Sequence, residues 1–227
     1  MTDQAIRAVA ALEDQSRRGM YAFIRAARRP VTRDEAAAAV GISRKLAAFH
    51  LDKLVDAGVL RAHYGSAGGR VGRAPKVYEP SDTDIRISIP QRQHDILADI
   101  LLNAVLAQHD NESARDAALR TAHDRGRDLA ATERALTRPG RLGVERALTL
   151  TTTMLQRHGF EPPRDTPTCV RLRNCPFHPL AAKAPELVCG INHAFLTGML
   201  DGLPAPSVEA VLDPQAGECC VELHARP

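Results

Sequence analysis

Thr32-Arg33-Asp34-Glu35-Ala36-Ala37-Ala38-Ala39-Val40-Gly41-Ile42-Ser43-Arg44-Lys45 decides how the first third of the chain is read. Thr32 carries the hydroxyl that a helix N-cap uses. Glu35 stands three positions on, where its carboxylate can reach back to the cap's own amide. A short Ala-rich helix is predicted from Arg33 to Val40. Gly41 tolerates the positive φ of a tight turn. Ser43 caps a second helix from about Arg44 to Asp56, which Gly58 closes. Two short helices that cross closely need a small residue at the contact, and Ala37 is placed for it. Val40, Ile42, Ala47 and Leu51 fall where apolar residues would lock the pair. Upstream, residues 10–28 read as one helix with Leu12, Met20, Phe23, Ile24 and Ala27 on one face, ended by Pro30.

Downstream, Val59 to Tyr64 and Lys76 to Pro80 alternate like two antiparallel strands. The connection Gly65 to Pro75 holds four glycines, and Arg70, Arg73 and the adjoining Lys76 make it cationic without a single acid. A helix pair followed by a hairpin with a basic, Gly-rich tip is the pattern of a winged helix-turn-helix. Residues 10–80 resemble that unit in bacterial repressors of the broad ArsR/MarR/DeoR kind. The resemblance is carried by Gly41-Ile42-Ser43-Arg44, His50-Leu51-Asp52-Lys53-Leu54, Gly58-Val59-Leu60 and Gly72-Arg73-Ala74-Pro75-Lys76-Val77-Tyr78. It implies that the second helix enters the major groove of double-stranded DNA. Helical geometry turns Ser43, Arg44, Lys45 and Phe49 away from the packed side. Arg44 and Lys45 would then meet guanine or phosphate, and Phe49 a thymine methyl. Arg70, Arg73 and Lys76 would meet the backbone.

Charge supports a division of labour. Residues 1–80 carry 14 Lys and Arg against 8 Asp and Glu, an excess of six, whereas residues 81–227 carry 16 against 19, a deficit of three. A basic first part joined to a mildly acidic remainder suggests a polyanion-binding module attached to something else. No run approaches a membrane span and the first residues lack the apolar core of a secretory signal, so a cytoplasmic location without a membrane partner is expected. Aromatic residues are 4% of the chain and Trp is absent, which leaves cores of Ala, Leu, Val and Ile and favours helices. Helices are predicted over 93–109, 113–136 and 141–158. The first is apolar on more than one face, as burial against a twin subunit would require. After Gly159 the texture changes to short strands (160–162, 169–172, 208–212 and 219–223), a short helix over 176–184 and a longer one over 185–202. The expected fold is α+β: a winged helix-turn-helix domain (1–82), a helical dimerisation segment (83–158) and a small cysteine-containing α+β sensor domain (159–227).

Five cysteines, an odd number, suggest no disulfide framework. Cys175 precedes Pro176, a residue type favoured at the first position of a helix, and the helix dipole there favours thiolate. Cys189 lies fourteen positions on and Cys219-Cys220 returns near the end. None of these spacings is that of a zinc ribbon, so the thiols would have to converge from separate elements. Cys169, alternating with Val170, is expected to fill core. A winged helix, a helical segment, Cys-Pro, a second Cys and a Gly-x-Cys strand together resemble the SufR family of iron–sulfur-sensing repressors over nearly the whole chain. That resemblance implies a homodimeric repressor and redox sensor, bound to an inverted-repeat operator, whose cluster is commonly [4Fe–4S]. It gives ligand roles to Cys175, Cys189 and Cys219. The fourth ligand stays open among Cys220, His178 and His193, because strand alternation would send Cys219 and Cys220 to opposite faces. Zinc or haem in place of the cluster remains an alternative. A thiol enzyme is a more distant one, since no Ser/His/Asp arrangement, phosphate-cradling loop or acid/base pair accompanies Cys175; the expectation is a protein without catalytic activity.

Overall fold

The computed structural model describes residues 3–65, 74–137, 143–163, 166–203, 206–215 and 218–226. They form two compact units, one within residues 1–88 and one within 89–227. Each carries a three-stranded antiparallel sheet, and the fold is α+β.

In the first unit α1 (Asp3–Ala11) and α2 (Gln15–Ala27) replace the single helix expected over 10–28. Asp14 makes the break. Its carboxylate accepts a hydrogen bond from the Arg17 amide (2.9 Å) and starts a new helix. Strand β1 (Val31–Thr32) leads into α3 (Arg33–Val40). There Thr32 Oγ1 accepts from the Glu35 amide (3.3 Å) while Glu35 Oε2 accepts from the Thr32 amide (2.8 Å), a complete capping box. Gly41 follows at φ +69°, and nothing lies within 4 Å of where a Cβ would stand. The glycine is there for the left-handed backbone, not for space. Ser43 Oγ accepts from the Leu46 amide (3.3 Å) at the start of α4 (Arg44–Asp56). Ala37, Ala47 and Leu51 are buried between the two helices, together with Met20, Ile24, Leu54 and Leu60. Val40 and Ile42 pack against the same core half-buried. Strands β2 (Leu60–Tyr64) and β3 (Lys76–Pro80) pair from Leu60↔Pro80 to Tyr64↔Lys76, and β3 is the middle strand in the order β1-β3-β2.

The second unit contains α5 (His94–Leu106), α6 (Ala114–Thr137), α7 (Val144–Arg157), β4 (Cys169–Arg171), α8 (Leu180–Lys183), α9 (Pro185–Gly202), β5 (Val208–Leu212) and β6 (Val221–Ala225). The helices expected over 83–158 and the cysteine-bearing sheet expected over 159–227 share one core. Ile100, Ala122, Leu148 and Leu155 from the helices meet Val170, Phe177, Phe195 and Leu223 in it. Helices α6 and α9 approach until their backbones touch, and Gly126 and Gly198 sit at that crossing. Strand β6 lies between β4 and β5. Phe160 to Pro162 is not a strand; Phe160 is buried in the core of the unit, and Glu161 O accepts one bond from the Arg173 amide (2.9 Å). Helix α5 buries Leu97, Ile100 and Ala104 but leaves Leu102, Val105 and Leu106 at 59, 73 and 75% exposure. Among the described residues no helix is long and apolar enough to cross a membrane.

Candidate metal centre

Cys175 stands in a loop that buried neighbours hold rigid. Leu172 and Phe177 are core residues on either side. Between them, Asn174 donates to Gln91 O (3.0 Å) and Gly159 O (2.6 Å) and accepts from Arg92. Arg92 also donates to Cys175 O (3.0 Å), and Pro176 O accepts from the Gln93 amide (2.9 Å). The helix expected from Pro176 begins only at Leu180, so Cys175 does not cap it. The His178 amide of the intervening turn donates to Cys175 O (3.1 Å), and the Phe177 and His178 amides favour the thiolate form of the sulfur.

Cys189 lies in the second turn of α9, and Pro185 occupies the first helical position. Cys219 and Cys220 precede β6 rather than belonging to it. Each is pinned to a different neighbour: the Cys219 amide donates to Leu172 O (2.8 Å), and Cys220 O accepts from the Asp213 amide (2.9 Å). Strand alternation therefore does not apply to this pair, and both side chains are buried. The four thiols neighbour one another in the order Cys175, Cys219, Cys220, Cys189, close enough for each to shift the ionisation of the next. Three separate elements contribute to the row, and Cys220 is the candidate fourth thiol.

The row alternates in character. The neighbouring Cys175 and Cys220 thiols, aided by burial, push Cys219 up. Cys175 is lowered, first by the Cys219 thiol and then, against the cost of burial, by the turn amides. Cys220 is lowered to about 6, first by the Cys219 thiol and, against the cost of burial, by Cys189 and Asn192. Burial, then the Cys220 thiol, raises Cys189 to about 12. The fully buried Asn192 donates to Cys219 Sγ (3.1 Å), and its own Oδ1 has no hydrogen-bond partner. A cavity of about 460 Å³ opens onto Cys175, Cys189 and Cys220, with Arg92, Arg173 and His178 on its wall. His178 therefore shares the cavity. His193 does not line it, and its Nε2 donates to Ala210 O (3.1 Å) on β5.

A second group was not anticipated from the sequence. Cys169 Sγ, Glu222 Oε2 and His224 Nε2 lie within 4.8 Å of one another and could hold a metal ion. Cys169 does not fill core; Val170, its neighbour, is the fully buried residue of β4. The cysteine stands half-buried on the other face, opposite His224 in the strand register. The signal lay in the alternation Glu222-x-His224, which sets two ligand types on one face of a strand. The register that brings Cys169 opposite could not be read from sequence. Among the described residues this is the one group of three or more such side chains within that distance, so no three sulfurs of the cysteine row are as close together.

In the first unit Arg44, Lys45 and Phe49 all lie on the solvent face of α4, with Phe49 55% exposed. Arg44 Nε pairs with Asp34 Oδ1 (2.6 Å), and Lys53 Nζ stands over the Phe49 ring at 5.7 Å. Ser43 is exposed as well, its hydroxyl engaged as the α4 cap. Lys76 Nζ pairs with Asp52 Oδ1 (2.8 Å), joining the hairpin to α4. Arg70 and Arg73 lie outside the described residues. Compared with protein-family models and with curated proteins, the chain gives no match.

Proposed function

We propose that the protein is a DNA-binding transcription regulator, a repressor of the SufR kind, whose operator affinity depends on an iron–sulfur cluster held by Cys175, Cys189, Cys219 and Cys220. The row of four thiols carries this reading. Four thiols satisfy the usual ligand count of such clusters. When bound, the cluster would supply an oxidation-sensitive group. The chain's own residues set its environment: Asn192 directs an N–H at Cys219, a contact of the kind that tunes cluster potential, and the cavity beside Cys175, Cys189 and Cys220 admits small oxidants.

The DNA-reading part of the proposal is that α3, the Gly41 turn, α4 and the β2–β3 hairpin act as a winged helix-turn-helix. The exposed side chains of Arg44, Lys45 and Phe49 on one face of α4 support it, because a helix that enters a groove presents such donors and an apolar contact together. The apolar stripe of α5, from Leu102 to Leu106, is the proposed dimer face. Two readers related by a two-fold axis would contact half-sites roughly 34 Å apart or a multiple of that.

Anaerobic purification followed by iron and sulfide analysis and a visible spectrum tests the cluster. Iron and sulfide should be present in the wild type and lost from Cys175→Ser, Cys189→Ser, Cys219→Ser and Cys220→Ser. Full iron and sulfide content in the Cys175→Ser and Cys189→Ser variants would overturn the assignment. Footprinting on the protein's own promoter region, with and without the cluster, tests the switch.

A further inference from the structure

We infer that Cys169, Glu222 and His224 form a separate site for a borderline-soft divalent cation of the zinc class, on the face of the second sheet away from Val170. Cys169 Sγ lies 3.6 Å from Glu222 Oε2 and 3.8 Å from His224 Nε2, and those two atoms lie 2.9 Å apart. Bonds of about 2.3 Å to sulfur and 2.0–2.1 Å to nitrogen and oxygen, at tetrahedral angles, imply ligand–ligand edges of roughly 3.3–3.6 Å. Shifts of a few tenths of an ångström convert the present triangle into that one.

Placement on the sheet makes the triangle durable. Cys169 and His224 are register partners on β4 and β6, and Glu222 is two residues before His224 on the same face. Glu222 is the built part of the site. Its side chain is only 3% exposed, so this carboxylate cannot be a solvated surface charge. Its buried Oε1 stands 2.5 Å from Arg171 Nη2, an ion pair whose angles do not make a hydrogen bond, and Oε2 is left facing the cysteine and the histidine. Arg171 fixes the carboxylate as outer partners fix metal ligands. Among the described residues the same guanidinium also pairs with Glu218 (3.2 Å) and Asp213 (3.8 Å).

The donor set of one thiolate, one imidazole and one carboxylate suits zinc, and cobalt as its spectroscopic substitute, better than magnesium or calcium. Binding releases the Cys169 thiol proton to solvent and takes His224 as the neutral imidazole with its proton on Nδ1. Three protein ligands leave one coordination position for water. His224 is 40% exposed, which gives the ion access. Once bound, the ion ties β4 to β6 across the sheet.

The test titrates metal-stripped full-length protein anaerobically with Co²⁺ and reads the thiolate-to-cobalt charge-transfer band and the visible bands of tetrahedral cobalt. The comparison runs across wild type, Cys169→Ser, Cys175→Ser, and Cys175→Ser combined with Cys169→Ser or His224→Gln. One Co²⁺ equivalent with a thiolate band should survive in Cys175→Ser. With Cys169→Ser added to Cys175→Ser that equivalent should be lost, and with His224→Gln added it should bind at least about 10-fold more weakly. His224→Gln is a surface change that keeps polarity, so it remains informative should Cys169→Ser fold poorly. Equal titration of Cys175→Ser with and without His224→Gln, or a band that disappears with Cys175→Ser and persists with Cys169→Ser, overturns the site. Because the band is read in Cys175→Ser, the outcome is independent of whether the cysteine row holds a cluster.

Discussion

Alanine at Gly198 should destabilise the second unit even though alanine is the better helix former. A Cβ built there stands 1.9 Å from His123 O, and one at Gly126 stands 2.0 Å from Phe195 O, both backbone atoms of the facing helix. Ordinary contact begins at 3.4 Å, so α6 and α9 would have to part by about 1.5 Å at the crossing. The surrounding side chains cannot follow without loss, because a gap of 0.5–1 Å already forfeits a quarter to a half of each contact's attraction. Overpacking of this kind costs about 1–3 kcal/mol, and an obstructing backbone places it at the upper end. Against it stands a gain of about 1 kcal/mol from replacing glycine inside a helix. The net expectation is a loss of about 1–2 kcal/mol, a fall in melting temperature of roughly 3–8 °C by circular dichroism. Gly190→Ala is the internal control. It lies on the same helix, but its Cβ would meet only the end of the Leu119 side chain at 3.2 Å, which can move aside. That variant should melt at or slightly above wild type. If Gly198→Ala melts as high as Gly190→Ala, the crossing is not the tight contact argued here.

Glu35 provides a pH test. The Arg29 guanidinium first, then the Thr32 amide and hydroxyl, hold its carboxyl down at about 2 from 4.5. A depressed folded value contributes stability above pH 4.5 that disappears as pH falls toward 2. The advantage of wild type over Glu35→Gln in urea unfolding should therefore shrink between pH 6 and pH 3. Its magnitude should be modest, since the carboxylate is 36% exposed to solvent; an advantage that grows on acidification would contradict the assignment. Arg44→Ala should relax operator preference in competition gel shifts while leaving the unfolding free energy within about 0.5 kcal/mol of wild type, as for an ordinary surface change. An unchanged preference would place the reader elsewhere. Glutamate at both Leu102 and Val105 should convert a dimer to monomer by light scattering at micromolar concentration, and a wild type that is already monomeric would remove the proposed role of α5.

What could be read from the sequence was what neighbours along the chain decide. The Thr32–Glu35 box, the Gly41 turn and the Ser43 cap are each fixed within three or four residues, and each was found where expected. The same kind of signal stands at Asp14, whose side chain caps α2 and divides the single helix expected over 10–28. The thiol row was legible only in part. Nothing local says that Cys219 will lie beside Cys175, and the rule that separated Cys219 from Cys220 presumed a strand that starts two residues later, at Val221. The Cys169 group needed the β4–β6 register, which depends on packing against the rest of the unit.

Strands β4 and β5 each pair with β6 and not with one another, and β6 is the last of the three in chain order. During synthesis both flanking strands must wait with unpaired edges, open to wrong partners, until the segment around residues 219–225 has left the ribosome. The same short segment delivers two of the four thiols in the row and two of the three ligands of the second site. A nascent chain halted before Cys219 thus lacks its middle strand and either complete donor set together. Metal loading would follow synthesis of this segment.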